Sequence, residues 1–287
     1  MVTSFHRFDA SLVYQGELSA AQPLLEESLA IFRAFGQMRG VAATLSNLGN
    51  LARVQGDYAT ALRLCEESFA IFQNLEDQSG IAWGLRDLGR VTAASGDLAG
   101  ALRLFQESLR LLRELHDPLG TGWVLSSMGD AACLIGDGEA GHAYFEESLA
   151  IFEKLGEKQG MGLALCGLGR IARSKGDHAM AEALNMKGLI LFQEVGVRTG
   201  IVASLRNLAE VAWASQHSTR AARLIGAAQL LREGLGGMHK GGPPHYAQTV
   251  TEVRGALGEE AFSVAHAEGR AMTLEQAIEY ALAVEAN

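Results

Sequence analysis

The sequence predicts an all-α protein, a right-handed α-solenoid of about six helix-turn-helix units followed by a C-terminal helical cap. Three observations predict it. A Gly-Asp pair recurs at Gly56-Asp57, Gly96-Asp97, Gly136-Asp137 and Gly176-Asp177, with a variant at Gly16-Glu17 and a decayed copy at Gln216-His217, each 40 residues after the last. A second glycine keeps the same step at Gly40, Gly80, Gly120, Gly160 and Gly200. A Glu-Glu-Ser element or its relative returns at Glu26-Glu27-Ser28, Glu66-Glu67-Ser68, Gln106-Glu107-Ser108 and Glu146-Glu147-Ser148. A unit that repeats at such a period cannot bury its apolar face alone and must stack on its neighbours.

Each unit holds two helical patterns. In the unit that begins at Val41, apolar Val41, Leu45, Leu48, Leu51 and Ala52 fall on one helical face up to Gln55. Gly56 then stops the helix, because glycine takes the left-handed C-terminal position without steric cost. Asp57 follows as an N-cap, its carboxylate placed for a free N–H of the next first turn. The second helix runs from Tyr58 to about Glu76, with Ala61, Leu62, Cys65, Phe69 and Phe72 on its inner side, and Gly80 ends the unit and opens the next first helix. Short connections make the two helices antiparallel neighbours. Gly49, Gly89, Gly129 and Gly169 inside the first helices, with Ala61, Ala101, Gly141 and Ala181 in the second, mark close helix–helix approach. Ser68, Ser108 and Ser148 are small for the same reason, with Gly188 as the later variant.

The first unit departs from the pattern. Its opening helix is expected over Thr3–Gln15, with Asp9 where later units have glycine. The last unit has Ala209 at that position. After Glu233 a run containing Gly236, Gly237, Gly241, Gly242, Pro243 and Pro244 breaks the register. Helices are expected over His245–Leu257 and Glu259–Ala267. A capping box at Thr273-Leu274-Glu275-Gln276 opens a last helix to about Val284. The expected division is a repeat domain over 1–235 and a C-terminal helical cap over 236–287.

Composition narrows the function classes. With 48% apolar and 20% charged residues the chain is globular. A formal charge of −9 argues against general nucleic-acid binding. There is no apolar run long enough to span a membrane and no signal-peptide pattern. Three cysteines, Cys65, Cys133 and Cys166, without metal-type spacing point to thiols in a reducing, cytoplasmic compartment. No cofactor or metal is expected.

The pattern Leu45-x-x-Leu48-Gly49-x-x-Ala52, followed by Ala61 and Ser68, resembles the tetratricopeptide repeat, with Leu and Ala in place of the bulky first-helix aromatics. The 40-residue period is longer than the common form. It most resembles the long repeats of bacterial signalling ATPases and of MalT- or LuxR-type regulators, over residues 1 to about 235. The resemblance implies a non-catalytic module, the sensor part of a regulator whose ATPase and output domains lie elsewhere. It also implies that first helices line a concave groove and second helices a convex face.

On that basis the charges sort. The first helices (41–55, 81–95, 121–135, 161–175, 201–215) carry seven basic residues against three acidic, while the second helices carry seven basic against thirteen acidic. The expected groove is therefore basic on an acidic protein, and a groove of one sign attracts the opposite charge. Its candidate residues are Asn50, Arg53, Trp83, Arg86, Arg90, Trp123, Arg170, Arg173, Arg206 and Trp213. Arg86 and Arg90 are spaced i, i+4, and Asn50 takes the place of Arg90 one unit earlier. Together they would clamp a carboxylate, loosely resembling the clamps of tetratricopeptide co-chaperones but without their lysines. Trp83 and Trp123, equivalent in adjacent units, would form an aromatic floor. The plain alternatives are a solvated face with ion pairs between repeats, and tryptophans packed between repeats.

The expected partner is a protein or peptide, with an acidic or C-terminal carboxylate segment. Small-molecule sensing in a MalT-like regulator and self-association of the chain are the alternatives. Catalysis is the weakest class: the paired glutamates repeat on the outer side of their helices, and Cys65 lies in a buried stripe.

Overall fold

The computed structural model describes residues 18–235 and 244–283. The expected helix over 3–15, the Gly16-Glu17 marker and most of the Gly/Pro run lie outside the described residues. Fourteen α-helices are described: α1 (Leu18–Ala34), α2 (Met38–Gln55), α3 (Tyr58–Asn74), α4 (Gln78–Ala94), α5 (Leu98–Glu114), α6 (Pro118–Leu134), α7 (Gly138–Leu155), α8 (Lys158–Ser174), α9 (His178–Glu194), α10 (Arg198–Ala214), α11 (Ser218–Gly234), α12 (Pro244–Leu257), α13 (Glu259–Arg270) and α14 (Leu274–Leu282). No described helix is long and apolar enough to cross a membrane. The fold is an all-helical α-solenoid, and the chain divides into two compact units, Met1–Gly160 and Met161–Asn287.

The turns follow the repeat markers. Gly56 has φ 86°, and its N–H bonds back to Arg53 O, while the Asp57 carboxylate accepts from Thr60 N. Asp97, Asp137 and Asp177 cap α5, α7 and α9 in the same way. The other turn holds a cap that the sequence reading did not assign. Asp77 and Asp117 accept from Gly80 N and Gly120 N. The marker glycines at 80 and 120 therefore lie in the first turn of α4 and α6, at the opening of the first helices as the repeat predicts. First helices accordingly start about three residues earlier than periodicity suggested, because apolar spacing does not register a capped first turn.

Within the first unit, α2 pairs with α3, α4 with α5 and α6 with α7, and each hairpin packs on the next. The missing side chains set the crossings. A Cβ at Gly49 would lie 2.7 Å from Cys65 Sγ, at Gly89 2.5 Å from the Phe105 ring and at Gly129 2.8 Å from the Phe145 ring. The repeated serines do more than stay small. Ser68, Ser108 and Ser148 donate to the carbonyls of Ala42, Ala82 and Gly122 at 2.7–2.8 Å, stitching each second helix to its first. Adjacent first helices also touch, α2 with α4 and α4 with α6. Second helices are bridged at their charged tips, by Arg33–Glu67 at 2.9 Å and Arg113–Glu147 at 2.6 Å. First helices thus share the close inner face of this unit.

In the second unit α8, α9, α10 and α11 continue the pattern: glycines of α8 sit against Phe192 and Asn185 of α9, and α9 packs on α10 and α10 on α11. Then the order changes. α13 packs along α11 and α12 touches α10, α11 and α13, while α14 reaches α9, α10 and α11. The expected capping box is present, with Thr273 Oγ1 accepting from Gln276 N at 3.2 Å and Gln276 Oε1 from Thr273 N at 2.9 Å.

The decayed marker is measurably imperfect. Gln216 holds φ 66° without being glycine, and His217 caps α11 without a side-chain hydrogen bond. A non-glycine residue in the left-handed region costs about 1 kcal/mol, and a lost cap costs about as much. Restoring the repeat with Gln216→Gly and His217→Asp is therefore expected to raise stability by roughly 2 kcal/mol in urea denaturation. Gly89→Ala, which drives a methyl into Phe105, is expected to lower it by about 1–3 kcal/mol.

Candidate binding face

In the first unit, the inner face gathers three of the expected arginines around one buried carboxylate. Asp87, 9% exposed, stands beside Arg86 on α4. Arg86 Nε and Nη2 both reach Asp87 Oδ1, at 3.0 and 2.7 Å, and Ser46 on α2 donates to Asp87 Oδ2. Burial by itself would raise the Asp87 carboxyl. The Arg86 and Arg90 guanidiniums and the Ser46 hydroxyl outweigh it and hold the group below the usual carboxylate range. Arg53 belongs to the same field: burial pushes the Cys65 thiol up to about 12, Asp87 adds to the rise, and Arg53, Arg90 and Arg86 oppose it. Arg86 and Arg90 thus act on Asp87, and all three guanidiniums act on the neighbouring Cys65 thiol.

The geometry redistributes the expected roles. Arg86 is committed to Asp87 and lies over the Trp83 indole at 4.4 Å. Asn50 uses its side-chain oxygen to accept from Arg53, at 2.9 and 3.3 Å. A clamp formed by Asn50, Arg86 and Arg90 would have to break both arrangements. Trp83 is half-buried against the core around Phe105 and donates its indole N–H to Asp117, the N-cap of α6, at 3.2 Å. Trp123 meets the Phe152 ring edge-to-face at 5.2 Å. Both tryptophans serve packing between helices, which is the plainer of the two roles their spacing allowed.

The second unit repeats the theme around Glu210 of α10, which is 2% exposed. Arg173 of α8 pairs with it at 2.9 Å, and His245 of α12 approaches it at 3.4 Å. Neither carboxylate oxygen has a well-aligned hydrogen bond, so charge holds the group. Desolvation lowers the pKa of His245 against the pull of Glu210, and Arg173, Arg170 and Arg206 lower it further. Arg206 lies under the Tyr246 ring at 5.5 Å, and burial pushes the Tyr246 phenol up to about 12. Trp213 donates its indole N–H to Glu252 at 2.9 Å.

Two of the expected groove residues, Arg206 and Trp213, are therefore contacted by α12, a helix of the same chain. The residues missed by sequence reasoning are Asp117, His245, Tyr246 and Glu252. Asp117 carried a legible signal, an Asp three residues before a marker glycine. The α12 residues carried none, since their partners lie across a break in the register. Among the described residues, no three His, Cys, Asp or Glu side chains gather as a metal site.

Asp87 yields a pH test. A carboxyl held below its unfolded value stabilises the fold above about pH 4, and that contribution disappears as pH falls through the folded value. Asp87→Asn is expected to lose roughly 2 kcal/mol at pH 7. The difference from wild type in urea midpoint should close as pH drops below about 4.

A search of curated proteins gives no match. Among solved structures, the chain is similar to BtubC from P. vanneervenii, with TM-score 0.56 and 18% identity over 78% of this chain and 92% of that one. It is also similar to a Rap protein complexed with Competence and Sporulation Factor, with TM-score 0.58 and 13% identity over 98% and 99%. A third is a Signal Transduction ATPase with Numerous Domains with a tetratricopeptide repeat sensor, from Pyrococcus horikoshii. There the TM-score is 0.53 and the identity 16%, over 88% of this chain and 41% of that chain. At these identities the likeness is one of fold. The family model for the tetratricopeptide repeat matches residues 40–114 and 120–194, more than half of the sequence, and the chain belongs to the tetratricopeptide repeat family.

Proposed function

We propose that this chain is a non-catalytic module that binds a protein or peptide segment bearing acidic residues or a C-terminal carboxylate, as a cytoplasmic sensor or scaffold in a signalling or regulatory system. The observation that carries the reading is the gathering of Arg53, Arg86 and Arg90 on the first helices of the first unit, where all three act on the Cys65 thiol beside Asp87. Arg86, Asp87 and Trp83 form the rigid frame, and Arg90 and Arg53, the latter oriented by Asn50, supply contacts to the ligand. Guanidinium donors match a carboxylate in geometry as well as charge. The tetratricopeptide family and the complexed Rap protein of the same fold support the class. A thiol raised to about 12 at Cys65 speaks against nucleophilic chemistry on this face.

The test uses a fluorescent acidic decapeptide with a free C-terminus beside its C-terminally amidated twin. Wild type should bind the free form more tightly, and more weakly as salt rises. Arg53→Glu with Arg90→Glu should weaken binding about 10- to 100-fold, the range of one or two charge-assisted hydrogen bonds. Equal affinity for wild type and the reversed variant would remove this site from consideration.

A second reading, small-molecule sensing, has its own observation. A cavity of about 370 Å³ opens between α1, α2 and α3, with Leu45, Leu48 and Leu51 as floor and Arg33, Arg63 and Glu67 at the rim. That volume falls in the range of small-ligand sites. A metabolite that raises the melting temperature of wild type but not of Leu64→Trp, which fills the cavity, would favour it.

A further inference from the structure

The cavity of about 370 Å³ in the first unit lies between two second helices, α1 and α3, over the first helix α2. Its walls are Leu29 of α1 and Leu64 of α3, both half-buried, and its floor is Leu45, Leu48 and Leu51 of α2. The 40-residue step carries Leu29, Leu48, Leu51 and Leu64 to Phe69, Leu88, Val91 and Leu104 in the next repeat. There the four come together: Leu88 and Val91 are buried in one cluster, and Phe69 and Leu104 pack against it. The Phe69 ring finds its room beside a glycine, since a Cβ at Gly84 would lie 3.0 Å from it. One repeat earlier the same two positions hold Leu29 and Thr44. The ring that closes the second interval is missing from the first, and the space beside it stays open where well-packed interiors leave few such voids.

The polar residues at the rim are engaged with their neighbours. Gln22 donates to Glu26 at 3.0 Å, and Asp57 accepts from Thr60 N at 3.1 Å. Arg33 pairs with one oxygen of Glu67 at 2.9 Å, and Arg63 approaches the other at 3.9 Å. A charged ligand would have to draw one of these groups from its partner or carry its ion over leucine, and either costs affinity. An uncharged apolar body requires neither and gains by leaving water. We propose that this cavity binds a small, uncharged and mainly apolar molecule, of the chemical class of a medium-chain alcohol. The assignment rests on the small-molecule reading of the cavity and is independent of the arginine site, none of whose residues lines it.

The probes are hexan-1-ol, octan-1-ol, octanoate and octylammonium, each titrated at about pH 7 into the full chain while leucine methyl signals are followed by NMR. Octan-1-ol is expected to shift the Leu29 and Leu64 methyls and to bind about tenfold more tightly than hexan-1-ol, because each methylene taken out of water tightens binding about threefold to fourfold. Octanoate and octylammonium should bind at least about tenfold more weakly than octan-1-ol. Leu29→Phe supplies the ring that the next repeat carries, and should weaken octan-1-ol at least about tenfold. Should Thr44 crowd that ring and the variant fold poorly, Leu64→Trp fills the cavity from the other wall with the same expectation. A charged probe that matches octan-1-ol overturns the ligand class, and the small-molecule reading survives that result when filling the cavity abolishes the binding. Undiminished octan-1-ol binding to a folded, filled variant overturns the site. No shift at Leu29 and Leu64 with any probe overturns the ligand class and the small-molecule reading together.

Discussion

Two helices approach closely only where a side chain is missing, and this repeat is organised by that constraint. Gly49, Gly89 and Gly129 each occupy the spot where Cys65, Phe105 or Phe145 of the partner helix presses in. Glycine in a helix interior costs about 1 kcal/mol against alanine, so its return in four successive repeats requires an offset. The offset is the burial of the facing side chain against bare backbone, an aromatic ring of about 150–250 Å² at Gly89 and Gly129 and a smaller side chain, Cys65 or Asn185, at Gly49 and Gly169. Ser68, Ser108 and Ser148 use the same proximity, which brings their hydroxyls to the carbonyls of the facing helix. Hairpin geometry, stacking and the alignment of the inner face all follow from this crossing.

With first helices side by side, polar residues on their inner face have little room for water, and charge must be organised. Both units do so around a buried carboxylate, Asp87 with Arg86 and Arg90 in the first and Glu210 with Arg173 in the second. A buried ion pair is weak evidence of stability, because desolvation offsets most of its attraction. Its more evident effect here is to fix direction: Arg86 is held over the Trp83 ring, and Trp83 is in turn tied to Asp117.

The two clusters differ in what lies over them. In the second unit α12 supplies His245, Tyr246 and Glu252 to the row of Arg206, Glu210 and Trp213. A cap that shields the end of an array is a general requirement of repeat proteins, because the terminal apolar face has no next repeat to meet. α13 and α14 meet that requirement on α11. α12 extends these contacts onto α10, one of the first helices.

Much of this protein is determined by local chemistry and could be read from residues in order. Gly-Asp at a 40-residue step establishes a left-handed C-terminus followed by a capped helix, and both are present at Gly56-Asp57 with the expected φ and hydrogen bond. Thr273 and Gln276 form their capping box within a single turn. Small residues at fixed offsets established the crossings. The candidate face was legible as a list of residues and not as an arrangement, because helical spacing reports which side chains share a face but not which of them satisfy one another. Arg86 took its neighbour Asp87 and Asn50 took Arg53 one turn on, rotamer choices among several partners within reach, while Trp83 took Asp117 across the packing of successive helices, a distance that no single period encodes. The placement of α12 on α10 lies still further from local control. Trp213 and Glu252 are 39 residues apart, almost one repeat, yet the register is broken between them, so only the packed tertiary structure decided that they meet.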